Sequence, residues 1–193
     1  MIMRLFWMLL LWMPAVLWAA SSPGYDFVEI DFSENNPDFK PYSNGDGYNL
    51  VGAISLPERN FAFLLYNDAP FRASGDEIGR GQEVDYWAIA GLGHAFRLAE
   101  RVDLIVDASF RSTSIGDRDE AGYGLGAGVR LAPWQPLELT LHVAGIDLVE
   151  TDLEMMAELA IRPWPALAFV TRLRDYGEWD FTAYEAGVRW YLR

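Results

Sequence analysis

The sequence contains no cysteine, which excludes disulfide bonds and thiolate metal sites. Positive charge is scarce: 15 Lys and Arg stand against 28 Asp and Glu, for a formal net charge of −13. A nucleic-acid partner needs clustered Lys and Arg for its phosphates, so this balance argues against one. Histidine is limited to His94 and His142, which leaves little material for acid–base catalysis. Beyond the N-terminus no apolar run approaches the ~20 residues of a transmembrane helix.

What is present is a chain of 193 residues, enough for one domain with a sizeable core. Aromatics make up 15%, including 8 Trp. An acidic chain this rich in rings must set them against something apolar. The opening "MIMRLFWMLLLWMPAVLWAASS" has one early positive charge, Arg4, an apolar run from Leu5 to Trp18, and then small residues. That is the layout of a secretory signal peptide. Cleavage after Ser21 places the small Ala19 at the third position back. A retained anchor is the competing reading, but the run is short for a spanning helix. The division expected is a signal peptide over 1–21 and one domain over 22–193. Removing residues 1–21 takes Arg4 away, so a charge of −13 becomes −14.

The rest of the chain alternates with period 2, the signature of strands with two different faces. In "VDLIVDASFR", Val102, Leu104, Val106, Ala108 and Phe110 oppose Asp103, Ile105, Asp107, Ser109 and Arg111. In "LELTLHV", Leu137, Leu139, Leu141 and Val143 oppose Glu138, Thr140 and His142. Leu153, Met155, Ala157, Leu159 and Ile161 likewise oppose Glu154, Met156, Glu158, Ala160 and Arg162. At the end of the chain, Tyr184, Ala186, Val188, Trp190 and Leu192 oppose Glu185, Gly187, Arg189, Tyr191 and Arg193. Further strands are expected at Tyr25–Phe32, Gly47–Leu56, Asn60–Asn67, Val84–Arg97, Gly122–Ala132 and Leu167–Asp175. The total is about ten, with eight as the alternative, near the length of membrane-spanning strands.

The connections alternate too. "PERN", "LAER", "PWQP" and "PWPA" are tight, whereas residues 33–47, 68–82 and 113–120 read as longer acidic loops. Short turns at one end and polar loops at the other describe an antiparallel up-and-down transmembrane β-barrel. Two aromatic girdles are expected: Trp134, Trp164 and Trp190 at the turn end, and Tyr48, Trp87, Tyr123, Trp179 and Tyr184 at the loop end. A soluble barrel would bury its apolar face. Here the opposite face mixes small residues with charges of both signs. Glu154, Glu158 and Glu185 with Arg130, Arg172 and Arg189 are expected to form a polar network in the lumen, because unpaired burial is costly.

"GYGLGAGVR" fits this picture. Gly122, Gly124, Gly126 and Gly128 would face the crowded lumen, and Tyr123, Leu125, Ala127 and Val129 the lipid. A phosphate-cradling loop would need a helix after it, and "VRLAPWQP" is not one.

With "YDFVEIDFS", "NGDGYNLVGAISLPERNFAFLLY", "GYGLGAGVRL" and "AGVRWYLR", the chain resembles the small outer-membrane β-barrels of Gram-negative bacteria. These are the OmpA-type transmembrane barrels and OmpX-like relatives, and in particular short barrels of Xanthomonas- and Pseudomonas-type proteobacteria. The resemblance implies an outer-membrane location after export through the periplasm. It implies contact with outer-membrane lipid and lipopolysaccharide, insertion by the barrel-assembly machinery, and a monomer. Such barrels usually end in an aromatic residue, and this one departs from that, ending Trp190-Tyr191-Leu192-Arg193. The resemblance carries no catalytic residue.

No cofactor or metal ion is expected. "SNGDGYN" lacks the closing glutamate of a calcium loop. His142 lies beside Glu138 and Thr140 without a serine motif, so it reads as part of the polar network rather than a general base. The function expected is non-enzymatic, structural or surface-interactive. A narrow channel for small polar solutes or ions is the alternative, and a lipid-modifying enzyme using His142 a third reading.

Overall fold

The computed structural model describes residues 24–37, 45–73, 82–179 and 181–192. The signal-peptide reading of 1–21 lies outside the described residues, as do Arg193 and the middle of the two long acidic loops.

Strong alternation becomes eleven strands: β1 (Phe27–Pro37), β2 (Gly45–Ser55), β3 (Asn60–Asp68), β4 (Phe71–Ala73), β5 (Gln82–Ala99), β6 (Val102–Ile115), β7 (Arg118–Trp134), β8 (Leu137–Asp147), β9 (Thr151–Trp164), β10 (Leu167–Tyr176) and β11 (Phe181–Tyr191). Neighbouring strands of the sheet pair antiparallel, β1 closes on β11, and β3 pairs with β5. The result is a closed barrel of ten strands. Closure leaves none of the ten full strands at a free edge among the described residues, and only the short β4 is paired on one side alone. The short β4 continues β3 past a break at Ala69-Pro70, pairing with β5 through Phe71↔Val84 where β3 had paired through Asn67↔Trp87.

The register follows the alternation. Leu141 is 50% exposed and Leu159 37%, while Glu158 on the neighbouring face is buried. Val28, Ile30, Phe32, Leu50, Leu64, Phe110, Leu125, Phe169 and Leu173 also point outward. Apolar groups cover the outside and ionised groups the inside, the inverse of a water-soluble barrel. Trp134, Trp164 and Trp190 are exposed at the turn end, and Tyr48, Tyr123 and Tyr184 at the loop end.

One feature of the girdle and one connection differ from the reading of the sequence. Trp87 and Trp179 are buried inside the loop end, 6% and 3% exposed. The outer face of β5 there carries Tyr86 instead, stacked on Tyr66 with centroids 5.9 Å apart. Residues 113–120 form a ladder rather than a loop, through Thr113↔Glu120, Ser114↔Asp119 and Ile115↔Arg118. Only Gly116 and Asp117 lie outside the strands, with Gly116 at φ 58°. Ile115 is 2% exposed, and its burial explains why so polar a segment is held in a sheet.

Candidate functional site: the barrel interior

The inner faces of β1, β9, β10 and β11 carry ionised side chains at adjacent register positions. Arg172 on β10 lies opposite Glu158 on β9 and Glu185 on β11. Glu29 and Asp31 follow on β1 beyond β11. The Arg172 guanidinium contacts all four carboxylates: Glu29 at 2.5 Å, Glu158 at 2.6 Å, Glu185 at 2.5 Å and Asp31 at 3.1 Å. Arg189 joins Glu29 at 2.5 Å and Glu158 at 2.8 Å. Arg174 joins Glu154 at 2.6 Å and Glu185 at 3.1 Å, and Arg111 reaches Glu154 at 2.5 Å from β6. A separate pair, Arg130 with Glu138, closes at 3.0 Å. Glu138 also accepts a bond of 3.3 Å from the Tyr191 hydroxyl.

All six residues named for the network from the sequence are therefore buried in the lumen. Five of them share one cluster, and Arg130 stands apart with Glu138. Glu29 and Asp31 were not named. The signal was available in "VEIDFS", where Val28, Ile30 and Phe32 alternate with Glu29, Asp31 and Ser33. Arg111, Arg174 and Glu138 also belong to the clusters and stand on inward faces of the same alternation. Bidentate and shared contacts of this kind suit guanidinium, whose fixed fork of donors matches carboxylates.

Small residues make the room. On β7, a Cβ at Gly126 would lie 2.5 Å from the His142 ring, and one at Gly124 would lie 2.8 Å from Arg111 Nε. The glycine face is thus the floor on which His142 and Arg111 rest. His142 Nε2 lies 2.6 Å from Asp107 Oδ2. His94 is on the outer face at the turn end, 2.9 Å from Asn60 Oδ1. Among the described residues, no group of three or more His, Asp or Glu is placed to hold a metal ion.

Both ends of the lumen are packed. At the loop end, Leu65, Phe71, Val84, Trp87, Ile115, Ile146, Tyr176, Trp179 and Phe181 form an apolar plug. Phe71 meets Phe181 at 4.2 Å between centroids, and Tyr176 stacks on Phe181 at 4.5 Å. Beside it the fully buried Asn35, Asn49 and Asn67 join across β1, β2 and β3, with Asn67 Nδ2 donating to Asn49 Oδ1 and Asn35 Nδ2 to the Ala69 carbonyl. At the turn end, Tyr25 stacks on Phe61 at 4.3 Å, and Arg130 sits 4.7 Å over the Tyr25 ring. Arg189 lies 4.2 Å over Phe27 in the same layer. A cavity of about 170 Å³ remains in the lumen, lined by residues of both layers. A ten-stranded barrel is wider than the eight-stranded kind that side chains just fill, which accounts for the space.

These features define a transmembrane β-barrel of the outer-membrane type with a packed, ion-paired interior. No family model matches the chain, and no curated protein matches it. Solved structures are similar to it at low identity. One is the KdgM porin in complex with disordered oligogalacturonate, at TM-score 0.45 and 9% identity over 86% of this chain and 100% of that one. Another is Ail, the attachment invasion locus protein of Yersinia pestis, at TM-score 0.43 and 12% identity over 88% and 99%. A mutant porin of Rh. blastica matches at TM-score 0.35 and 9% identity over 86% and 99%.

Proposed function

We propose that the chain is a non-enzymatic barrel of the Gram-negative outer membrane, monomeric, with a structural and surface-interacting role rather than a transport role. The observation that carries this reading is the interior: ion pairs cross it, and side chains pack both of its ends. Its residence in the outer membrane is supported by the apolar outer belt and the two aromatic girdles. The barrel-assembly machinery would insert it, as for barrels of this kind. His142 bonded to Asp107 fits the polar lining of the lumen.

The surface partner proposed is lipopolysaccharide, bridged by divalent cations. Asp46, Asp68, Asp85, Asp119 and Asp147 are exposed on the outer face at the loop end. Asp68 pairs in register with the girdle residue Tyr48, and Asp147 with Tyr123. A bound divalent cation would invert the local charge seen by lipid phosphates. The transport question is tested by swelling of proteoliposomes in small sugars. No swelling above protein-free vesicles is expected. Swelling that scales with the amount of barrel would return the channel reading.

A further inference from the structure

The outer rim at the turn end is stepped. The turn between β2 and β3, Pro57–Arg59, stops level with His94, since β3 begins its pairing with β5 at Asn60↔His94. β5 runs on to Ala99, paired there with β6 alone, and its Phe96 and Leu98 stay exposed. A groove opens on the outer face at this step. Leu56, Pro57, Leu92, Val106 and Ala108 give it an apolar lining, and Glu58, Asn60 and His94 give it a polar end. Polar and ionisable groups set at an apolar belt are costly unless they meet a partner.

Two of these groups are acceptors without a donor. Asn60 Nδ2 donates to the Pro57 carbonyl at 2.8 Å, which orients the amide and turns its Oδ1 toward His94 Nδ1 at 2.9 Å. Nδ1 therefore carries the proton, and the neutral ring presents Nε2 as a lone pair. Among the described residues none bonds that nitrogen. Glu58 is exposed, and no described basic side chain pairs with it. Arg59 and Arg97 are both committed to Asp103, at 3.0 Å and 3.7 Å. The left-handed backbone at Glu58 and Arg59 parts the two side chains, one to the groove and one to Asp103.

From this arrangement we infer that the groove seats one phospholipid of the leaflet at the turn end, with a primary ammonium headgroup of the ethanolamine type. Lipid is the occupant because the outer face of a membrane-spanning barrel is covered by it. The ammonium brings positive charge to Glu58 and N–H donors to both acceptors. A choline headgroup has no N–H to give, and a glycerol headgroup leaves the lipid anionic beside Glu58. An acyl chain lies along Leu56, Leu92, Val106 and Ala108. The inference rests on the membrane-spanning reading of the barrel and is independent of the surface role proposed at the loop end.

The test uses the two histidines of the chain as reporters. Protein labelled with ¹⁵N in its imidazole rings is folded in phosphatidylcholine bicelles, and insertion is verified by heat-modifiable gel migration. Phosphatidylethanolamine or phosphatidylglycerol with the same acyl chains is then titrated in. Phosphatidylethanolamine is expected to shift His94 Nε2 saturably while the bicelle is still mostly phosphatidylcholine, with the lumenal His142 unmoved. Phosphatidylglycerol is expected not to. Glu58→Gln is expected to weaken the apparent affinity roughly tenfold. Ala108→Phe fills the groove without touching its polar end and is expected to abolish the saturable shift. If one variant does not fold, the other decides. Equal shifts with the two lipids, no saturation, or an unchanged titration in the folded variants would overturn the inference and leave the groove to bulk lipid, with the barrel itself still inserted.

Discussion

Arg172 on β10 reaches across β11 to Glu29 on β1, closing to 2.5 Å between residues 143 positions apart in the chain. The contact straps the seam at which the last strands meet the first. Gly187 on β11 lies between them, and a Cβ there would stand 2.1 Å from both Asp31 Oδ1 and the Ile30 carbonyl oxygen. Over the backbone ladder that closes the seam, one long basic side chain passes a position that can carry no side chain.

Gly187→Ala is therefore expected to destabilise the barrel, because the Ile30 oxygen is backbone and cannot move aside as a side chain would. A loss of about 1–3 kcal/mol is expected from overpacking of this kind. Gly145→Ala is the control, since nothing lies within 4 Å of a Cβ at that position. Urea titration in lipid vesicles, read by tryptophan fluorescence, measures both. Equal midpoints for the two variants would contradict the close approach at the seam.

Removing one partner of the network leaves buried charges uncompensated. Arg172→Ala is expected to cost about 3–5 kcal/mol, and Arg189→Ala a similar amount. Arg130→Ala is expected to act independently, since its partner is Glu138 at 3.0 Å and not the larger cluster. The double variant Arg172→Met with Glu158→Gln is expected to recover part of the loss, because it removes charge of both signs. Heat-modifiable gel migration across a temperature series reads each variant. Unchanged unfolding temperatures for all the arginine variants would remove the network from the stability account.

The seam also shows what the sequence could and could not disclose. Strands with one charged and one apolar face were legible from period 2 alone, and β6 and β9 carry the orientation expected. The other half of the lumen was not. On β5, the inner Trp87 and Ile89 alternate with Ala88, Ala90 and Leu92, so both faces are apolar and the period assigns no side. Trp179 lies in a connection between strands, where no period exists at all. The charged cluster was half legible. Glu154, Glu158, Arg172, Glu185 and Arg189 stand on alternating strands, and so do Glu29 and Asp31, but which of them meet is decided only when β1 closes on β11. That closure is a long-range pairing which local pattern does not contain.

A mid-membrane charge tests the register. Leu141→Arg places a guanidinium on the lipid face at a residue that is 50% exposed, and a cost of about 2–4 kcal/mol is expected at the midplane. Thr140→Arg points the same group into the lumen. Spin labels are expected to report lipid-soluble quencher access at 141 and not at 140. The reverse pattern would place the strand one residue out of register.

The turn between β2 and β3 holds Glu58 at φ 60° and Arg59 at φ 66°, a left-handed backbone for two residues that do not favour it. Arg59 is held by Asp103 at 3.0 Å, while Glu58 has the strain without that contact. Glu58→Asn keeps the turn and suits this conformation. It is expected to stabilise the barrel by about 0.5–1 kcal/mol, read as a higher urea midpoint. A lower midpoint would mean that Glu58 makes a favourable contact outweighing its backbone cost.

The central claim is that the interior is sealed by packed side chains, and single-channel recording in planar lipid bilayers tests it most directly. The account predicts no steady unitary current from the inserted protein at moderate voltage, with insertion verified by gel migration of the recovered protein. A reproducible unitary conductance that persists at constant voltage would contradict the sealed interior and establish the barrel as a channel.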